Sequence, residues 1–491
     1  MDRAANLERL RRERFDVLVI GGGITGAGIA LDAVSRGLKT ALVERGDFAC
    51  GTSSRSSKLI HGGLRYLKQL QFKVTIEASR EKARLKRLAP HLVEDLPFLL
   101  PFWTRTARPL LGSGLWIYDA AAGFPKGLVH RHLSAREALE TLPSLRPEGL
   151  RGAYLYYDAR ADDCRLVMHV LRKAADLGVV AANGVEVVGF LKDRDRVAGA
   201  RTRDFDIAAA RVVNATGVWC DDVRGGERTV RPSKGVHLVV PMKRLRLTSA
   251  AMLPSPADGR IAFLIPWGDR AIVGTTDTDY AGSLDRPRAE AEDVDYLLAL
   301  VNASLPSVGL TRRDVLSTYA GLRPLLRDDA EAPSARSREH HLFEDPSGLL
   351  TITGGKLTTY RLMAREVVDR LTRRKCRTQE IDLYATEGRD ALSRRYGSEA
   401  ARIVDRTLIV DGLPYVWGEV DYAMEREMAR GLVDVLSRRT RLALFAEDRG
   451  RSVAEPVARR MAARLGWDAK EIGRQLEAYE LALDEEFPRP Y

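Results

Sequence analysis

The chain has 491 residues, 45% of them apolar and 30% charged, so it can bury two or three domain cores and is too apolar to be a disordered tail. Its formal net charge of +11 favours anionic partners: a phosphorylated small molecule, an acidic membrane surface or nucleic acid. The four cysteines, Cys50, Cys164, Cys220 and Cys376, form no C-x-x-C pair, which argues against a zinc ribbon, a thioredoxin-like motif or an iron–sulfur site; no metal is expected, and a reducing cytosol suits the chain.

Residues 1–14 are charged and lack the apolar core of a signal peptide. Residues 15–20 are a short apolar, β-branched run and read as a buried parallel strand. Gly21-Gly-Gly-Ile-Thr-Gly26 follows at once, then a helical run over 27–36 and a second strand over 39–43. Strand, Gly-x-Gly-x-x-Gly, helix and strand form the setting a dinucleotide fingerprint requires. Gly21 permits the tight turn, Gly23 admits a pyrophosphate to the backbone, and Gly26 lets helix and strand pack closely. The helix N-terminus offers N–H groups and a positive dipole end to the phosphates. Glu44 closes the second strand where an acidic side chain can hold ribose hydroxyls.

The fingerprint does not choose between FAD and NAD. It occurs once, so a flavin enzyme with a separate NAD domain is not expected. A second glycine cluster over 353–360 lies between a strand-like run at 348–352 and a helical run at 361–371. It offers another strand–loop–helix N-terminus for an electron-rich group, and a flavin has two such needs: its pyrophosphate and its N1/O2 edge. Residues 236–240, 261–265 and 271–274 read as further strands with Pro and Gly punctuation. From Arg377 onward the pattern turns helical. Val420, Met424, Met428, Leu432 and Leu436 recur every four residues and read as a core stripe.

Several segments, in order along nearly the whole chain, resemble signatures of the FAD-dependent glycerol-3-phosphate dehydrogenases. They are residues 52–66, from Thr52 to Tyr66; Lys234 to His237; Ile265 to Asp269 with Gly274 to Asp277; Gly321 to Leu325; and Gly354 to Tyr360. Residues 413–442 look like the family's C-terminal domain. One departure is Val218, where relatives often carry proline. The resemblance implies an α/β fold of the D-amino-acid-oxidase type. A Rossmann-like FAD-binding domain is then expected from residues 15–95, 151–230 and 316–375, with an inserted mixed-sheet substrate domain from 96–150 and 231–315. An α-helical C-terminal domain is expected over 376–491.

The implied reaction oxidises the C2 hydroxyl of sn-glycerol 3-phosphate to the ketone of dihydroxyacetone phosphate, with hydride passing to FAD and electrons to a quinone. The matched positions for a phosphate clamp are Arg65, Arg338 and Lys356, with Tyr66 donating a hydroxyl. Arginine suits this work because its planar fork binds bidentately. Arg323 and His237 are both candidates for handling the hydroxyl: a guanidinium is a poor base but stabilises a developing alkoxide, while an imidazole titrates in the useful range. Thr52, Ser53, Ser54, Ser57, Lys58 and His61 lie in the loop expected to face FAD. Gly217, Gly354, Gly355, Lys356, Leu357 and Thr358 complete the expected cofactor contacts. No histidine or cysteine has a clear covalent-attachment context, so FAD is expected to bind non-covalently.

No stretch approaches the ~20 uncharged apolar residues of a spanning helix. Ten basic residues between Arg55 and His91, and the apolar residues Phe98, Phe102, Trp103, Leu110, Leu111, Leu115 and Trp116 beside Arg105 and Arg108, suit an interfacial anchor. A cytoplasmic enzyme held peripherally on the inner face of the membrane is therefore expected, and a homodimer is left open. An oxygen-using glycerol-3-phosphate oxidase is the nearest alternative, although its usual extra insertion does not fit this length. An amine or amino-acid oxidase of the same fold is another, disfavoured by the basic clamp. Nucleic acid is not expected, because no recognised motif accompanies the charge.

Overall fold

Arg14–Ile20 forms a strand whose last four residues are all buried, as in a parallel sheet covered on both faces. The computed structural model describes residues 1–63, 72–124, 126–255, 258–327 and 339–490; Arg65, Tyr66 and Arg338 lie outside the described residues. The first sheet runs in the order His340–Glu344, Leu350–Gly354, Asp206–Asn214, Arg14–Ile20, Thr40–Glu44, Val180–Asn183. All its neighbours are parallel except the edge strand His340–Glu344. The helices Ile24–Ser35, Asp163–Asp176 and Tyr360–Asp369 cover it and share one core with its strands. A side hairpin, Val187–Asp193 with Arg196–Thr202, extends Asp206–Asn214.

The second sheet is almost wholly antiparallel, in the order Thr278–Asp279, Ser233–Pro241, Arg270–Gly274, Ile261–Trp267, Ala250–Pro254, Glu94–Phe102, Gly152–Arg160, Leu59–Ile60. Ser317–Arg323 joins it against Ser233–Pro241. Leu59–Ile60, Gly152–Arg160 and Ser317–Arg323, expected within the FAD-binding segments, therefore pair in the second sheet. The fingerprint could not reveal this, because their partners are distant in sequence.

Phe98 and Phe102 sit on Glu94–Phe102 and are buried, as is Leu115; they are core residues, not anchors. Among the apolar residues expected at an interface, Leu110 and Trp116 are well exposed, on the helix Ala107–Ala121. Ile117 and Phe124 are exposed beside them, and Trp116 and Phe124 lie 6.2 Å apart. No helix among the described residues is long and apolar enough to cross a membrane.

The C-terminal helices pack on the second sheet, and Tyr156, Ile265 and Tyr319 share a core with Leu432, Phe445, Val457 and Tyr479. The stripe from Val420 to Leu436 is core but is not one helix. Trp417–Glu427 stops at Met428, which has φ +55°, and a π-helical turn, Asp434–Arg439, follows. The Asp434 carboxylate accepts the N–H groups of Arg430 (2.9 Å) and Gly431 (3.0 Å). The new turn directs Arg438 and Arg439 onto buried Asp47 of the first sheet's domain. Buried charges of opposite sign override the four-residue repeat there.

Candidate active site and cofactor cleft

Two cavities lie side by side. The larger, about 440 Å³, begins at the carboxyl ends of the parallel strands, the edge where open α/β sheets bind ligands. It brings together Gly21, Gly23, Glu44, Thr52, Ser53, Gly217, Gly354, Gly355, Lys356 and Leu357. Gly26 stands behind the turn rather than in the wall: a Cβ there would overlap the Gly21 carbonyl oxygen, so this approach of helix to strand admits only glycine. The Ser53 hydroxyl accepts the Ile24 N–H at 3.0 Å at the helix start. The next N–H groups, of Thr25 and Gly26, have no carbonyl within their own helix to reach.

Glu44 is tied to the turn it faces. One carboxylate oxygen accepts the Gly22 N–H and the other the Gly46 N–H, both at 2.8 Å. Burial pushes its carboxyl up from the ordinary range, against the pull of those two N–H groups. Cys50 also lines the cleft, where burial and the Glu44 charge raise its thiol and keep it protonated. Trp219 and Arg45 close one side: Arg45 lies 4.6 Å over the Trp219 ring, and both bind Asp285, with the Trp219 indole N–H donating at 2.8 Å. This clasp is not evident in the sequence, since Asp285 is 66 residues from Trp219 and belongs to no motif.

The smaller cavity, about 250 Å³, shares Thr52, Ser56, Pro324 and residues 354–357 with the cleft. It also takes in Ser57, His61, His237, Arg323 and Thr358. Strand register explains the grouping. Ser233 pairs with Arg323, Gly235 with Gly321 and His237 with Tyr319, so alternate residues of two antiparallel strands present one face. A Cβ on Gly235 would strike the Arg323 guanidinium, so this glycine gives the side chain room to lie across the sheet. Arg323 is held by Thr275 Oγ1 and the Thr276 carbonyl, each 3.1 Å from Nη2, and by Asp277 Oδ1, 3.3 Å from Nη1.

His237 stacks on Tyr319 with ring centroids 4.6 Å apart and planes 8° from parallel, and its Nε2 is 2.8 Å from Ser57 Oγ. Burial, then the charges of Arg323 and Lys58, depress its pKa well below the ordinary value, so it is neutral at neutral pH. Thr358 Oγ1 accepts the His61 N–H at 3.2 Å and joins the two motif loops. Arg55, counted in the sequence only with the basic run expected at a membrane, and Arg260, not singled out there, also line this cavity. Arg55 pairs with Glu486 at 2.7 Å and Arg260 with Asp258 at 2.6 Å. Arg55 lies inside the segment 52–66 and could have been found there; Arg260 carries no local signal.

Two expected cofactor residues lie elsewhere. Lys58 is fully buried, its ammonium 2.8 Å from Asp163 and 5.4 Å over the Tyr319 ring. Ser54 is buried, and its carbonyl accepts from Lys58 (3.4 Å) and Arg441 (3.3 Å). A buried ammonium needs a carboxylate partner, and Asp163 supplies one from a helix that the sequence places more than 100 residues away.

A parallel sheet with one glycine fingerprint, a cleft at its carboxyl edge and a second cavity, carrying Arg323 and His237, that opens from it define a dinucleotide-binding protein of the oxidoreductase type. Residues 16–370 match the family model described as FAD dependent oxidoreductase, and residues 351–472 match the C-terminal domain of alpha-glycerophosphate oxidase. The chain is 40% identical to a glycerol-3-phosphate dehydrogenase of Mycobacterium leprae, over 99% of this chain and 90% of that one. It is 37% identical to an aerobic glycerol-3-phosphate dehydrogenase of Staphylococcus saprophyticus, over 97% and 95%. The structure of glycerol-3-phosphate dehydrogenase from Bacillus halodurans complexed with FAD superposes with a TM-score of 0.83 at 34% identity, covering 99% of this chain and 97% of that one. The chain belongs to the FAD-dependent glycerol-3-phosphate dehydrogenase family. The cleft fits that cofactor: its turn admits only glycine at Gly26, its helix N-terminus offers N–H groups, and an acidic side chain stands at the end of the second strand.

Proposed function

We propose that this protein oxidises sn-glycerol 3-phosphate to dihydroxyacetone phosphate and passes the electrons to a quinone. The observation that carries this is the Arg323 guanidinium, held by four hydrogen bonds in a cavity that opens directly from the cofactor cleft. The family's relatives supply the substrate. FAD, held by Gly21, Gly23, Glu44, Thr52, Ser53 and residues 354–357 of the cleft, would supply the acceptor for the C2 hydride. Arg323 stabilises the alkoxide that develops as the hydroxyl loses its proton, because its charge is fixed and already oriented. With the ring hydrogen on Nδ1, neutral His237 accepts the proton at Nε2 by way of Ser57 Oγ. Burial and the Arg323 charge disfavour an imidazolium there, so the proton leaves again by way of Ser57 Oγ, which lines the cavity. Lys356 binds the phosphate together with Arg65, Tyr66 and Arg338. Arg55 and Arg260 line the same cavity, each paired with a carboxylate, Glu486 and Asp258.

Membrane contact falls on the helix Ala107–Ala121 and the turn after it. Leu110, Trp116, Ile117 and Phe124 there offer an exposed apolar surface, with Arg105, Arg108 and Lys126 nearby in the chain. Attachment is to the inner face of the cytoplasmic membrane. The test of the reaction is anaerobic mixing of the purified yellow protein with glycerol 3-phosphate. Bleaching of the flavin, followed by recolouring with a water-soluble quinone, supports the reading. Absence of bleaching overturns the substrate, and recolouring only by oxygen with peroxide release overturns the acceptor.

A further inference from the structure

The loop 52–58 separates the two cavities, and four buried charges lie behind it. Arg441, on the C-terminal side of the π-helical turn, donates from Nη2 to Asp163 Oδ1 at 2.5 Å and to Asp162 Oδ1 at 2.9 Å. Its Nη1 donates to the Ser54 carbonyl at 3.3 Å. The other Asp163 oxygen accepts the Ser56 N–H at 3.0 Å and the Ser56 hydroxyl at 2.8 Å, while Lys58 donates to Oδ1. Two carboxylates and two cations balance, with Lys58, Asp163 and Arg441 at 1% exposure or less. From both sides the loop reaches the reaction cavity: Ser57 meets His237, and the Tyr319 hydroxyl donates to the Ser56 carbonyl at 3.0 Å.

We infer that Arg441, though carried by the C-terminal helical domain, is a positioning residue of the active site. With Asp163 it fixes the loop 52–58 and so sets where Thr52, Ser57 and His237 stand. Three of the loop's residues, Ser54, Ser56 and Lys58, are anchored backwards into this quartet. Ser53, before them, faces the cleft, and Ser57, between Ser56 and Lys58, faces the cavity. Thr52, Ser56 and Ser57 line the cavity without touching Arg441, so the effect of Arg441 is indirect. The C-terminal domain is thereby built into the catalytic unit. A guanidinium is needed because one group must reach two carboxylates and a carbonyl at once, which an ammonium on a lysine stem does not do with fixed geometry.

The test compares Arg441→Lys with Arg395→Lys in the full-length FAD-loaded protein. Arg395 belongs to the same domain and also makes a bidentate pair, partly buried, with Glu419 at 3.0 and 2.9 Å, but neither residue lines either of the two cavities. Both variants should lose thermal stability. Arg441→Lys alone should weaken FAD binding to the apoprotein, followed by flavin fluorescence, by about tenfold, and should lower kcat by about tenfold to a hundredfold with a smaller change in KM. Asp162→Asn should shift both quantities the same way by less, and it carries the test if Arg441→Lys fails to fold. Equal losses of stability with unchanged FAD affinity and kcat in Arg441→Lys, or in Asp162→Asn where that variant carries the test, would overturn the inference. The kcat readout rests on the proposed reaction, whereas the FAD readout does not. If wild-type protein is not bleached by glycerol 3-phosphate, the substrate reading fails and FAD affinity still decides the role of Arg441.

Discussion

The cofactor cleft and the reaction cavity touch at Thr52 and at residues 354–357, yet their walls are made differently. The cleft is bounded by turns: Gly21, Gly23, Gly217, Gly354 and Gly355 bring backbone to its surface, and Gly21, Gly217, Gly354 and Gly355 have positive φ. The cavity is bounded by side chains standing on antiparallel strands, among them Tyr156, His237, Phe263 and Arg323. A dinucleotide offers the same phosphates to every enzyme that binds it, so backbone N–H groups suffice. A substrate is told from its competitors by the side chains it meets, so that wall must be able to vary.

If this contrast is sound, the two walls should fail separately. The largest effect is expected at Gly26. Gly26→Val forces a side chain against the Gly21 carbonyl and should give colourless protein or none that folds. Recovery of a yellow protein with full FAD content would show that the turn tolerates what its geometry excludes. Next, Arg323→Lys should keep its FAD yet lose about 10²–10³ in kcat with little change in KM, as for a donor that acts on the developing alkoxide. A large rise in KM at unchanged kcat would move Arg323 into ground-state binding of the phosphate.

A smaller effect is expected at the clasp. Asp285→Ala frees Arg45 and Trp219, and FAD should leave the protein faster, by about fivefold or less because the ion pair is exposed. Stopped-flow displacement of FAD measures this, and an unchanged off-rate would remove Asp285 from the cleft's function. The smallest effect concerns pH. In the folded protein His237 stays neutral at pH values where an unfolded histidine takes a proton. The folded state then binds fewer protons, so the contribution of His237 to stability is complete above 6.5 and is lost as pH falls below it. His237→Gln should flatten the acid slope of unfolding free energy by at most about 1.4 kcal/mol per pH unit. His91, depressed by burial to about 4, and His169 remain in the variant and should leave a residual slope. An unchanged slope in His237→Gln would show that this imidazole is not held neutral.

Much of the cleft was legible because its parts are local. The strand, turn and helix around residues 21–26 follow one another directly, and the second glycine loop likewise sits between Leu350–Gly354 and Tyr360–Asp369. The strands at Ser233–Pro241, Ile261–Trp267 and Arg270–Gly274 contain the runs expected for them, extended by up to three residues at an end. Lys58 was misread because a polar residue in a polar loop looks solvent- or ligand-facing until a distant Asp163 is brought beneath it. Phe98 and Phe102 were misread because an aromatic beside basic residues looks the same in an interfacial helix and in a buried strand. The break at Met428 was invisible because the residues that enforce it, Asp434 and Asp47, lie beyond the four-residue period that suggested a helix.

The sequence by itself determined the dinucleotide site, because glycine turns, strand ends and helix starts depend on neighbours along the chain, and the family through the resemblance of its motif segments. Tertiary structure alone decided which side chains share the reaction cavity, which cations are available to it, and that Arg441 stands behind its loop. Those relations depend on the register of antiparallel strands and on the pairing of buried charges across hundreds of residues. A charge removed from water must find its partner wherever the fold provides one, and nothing adjacent in the chain records where that will be.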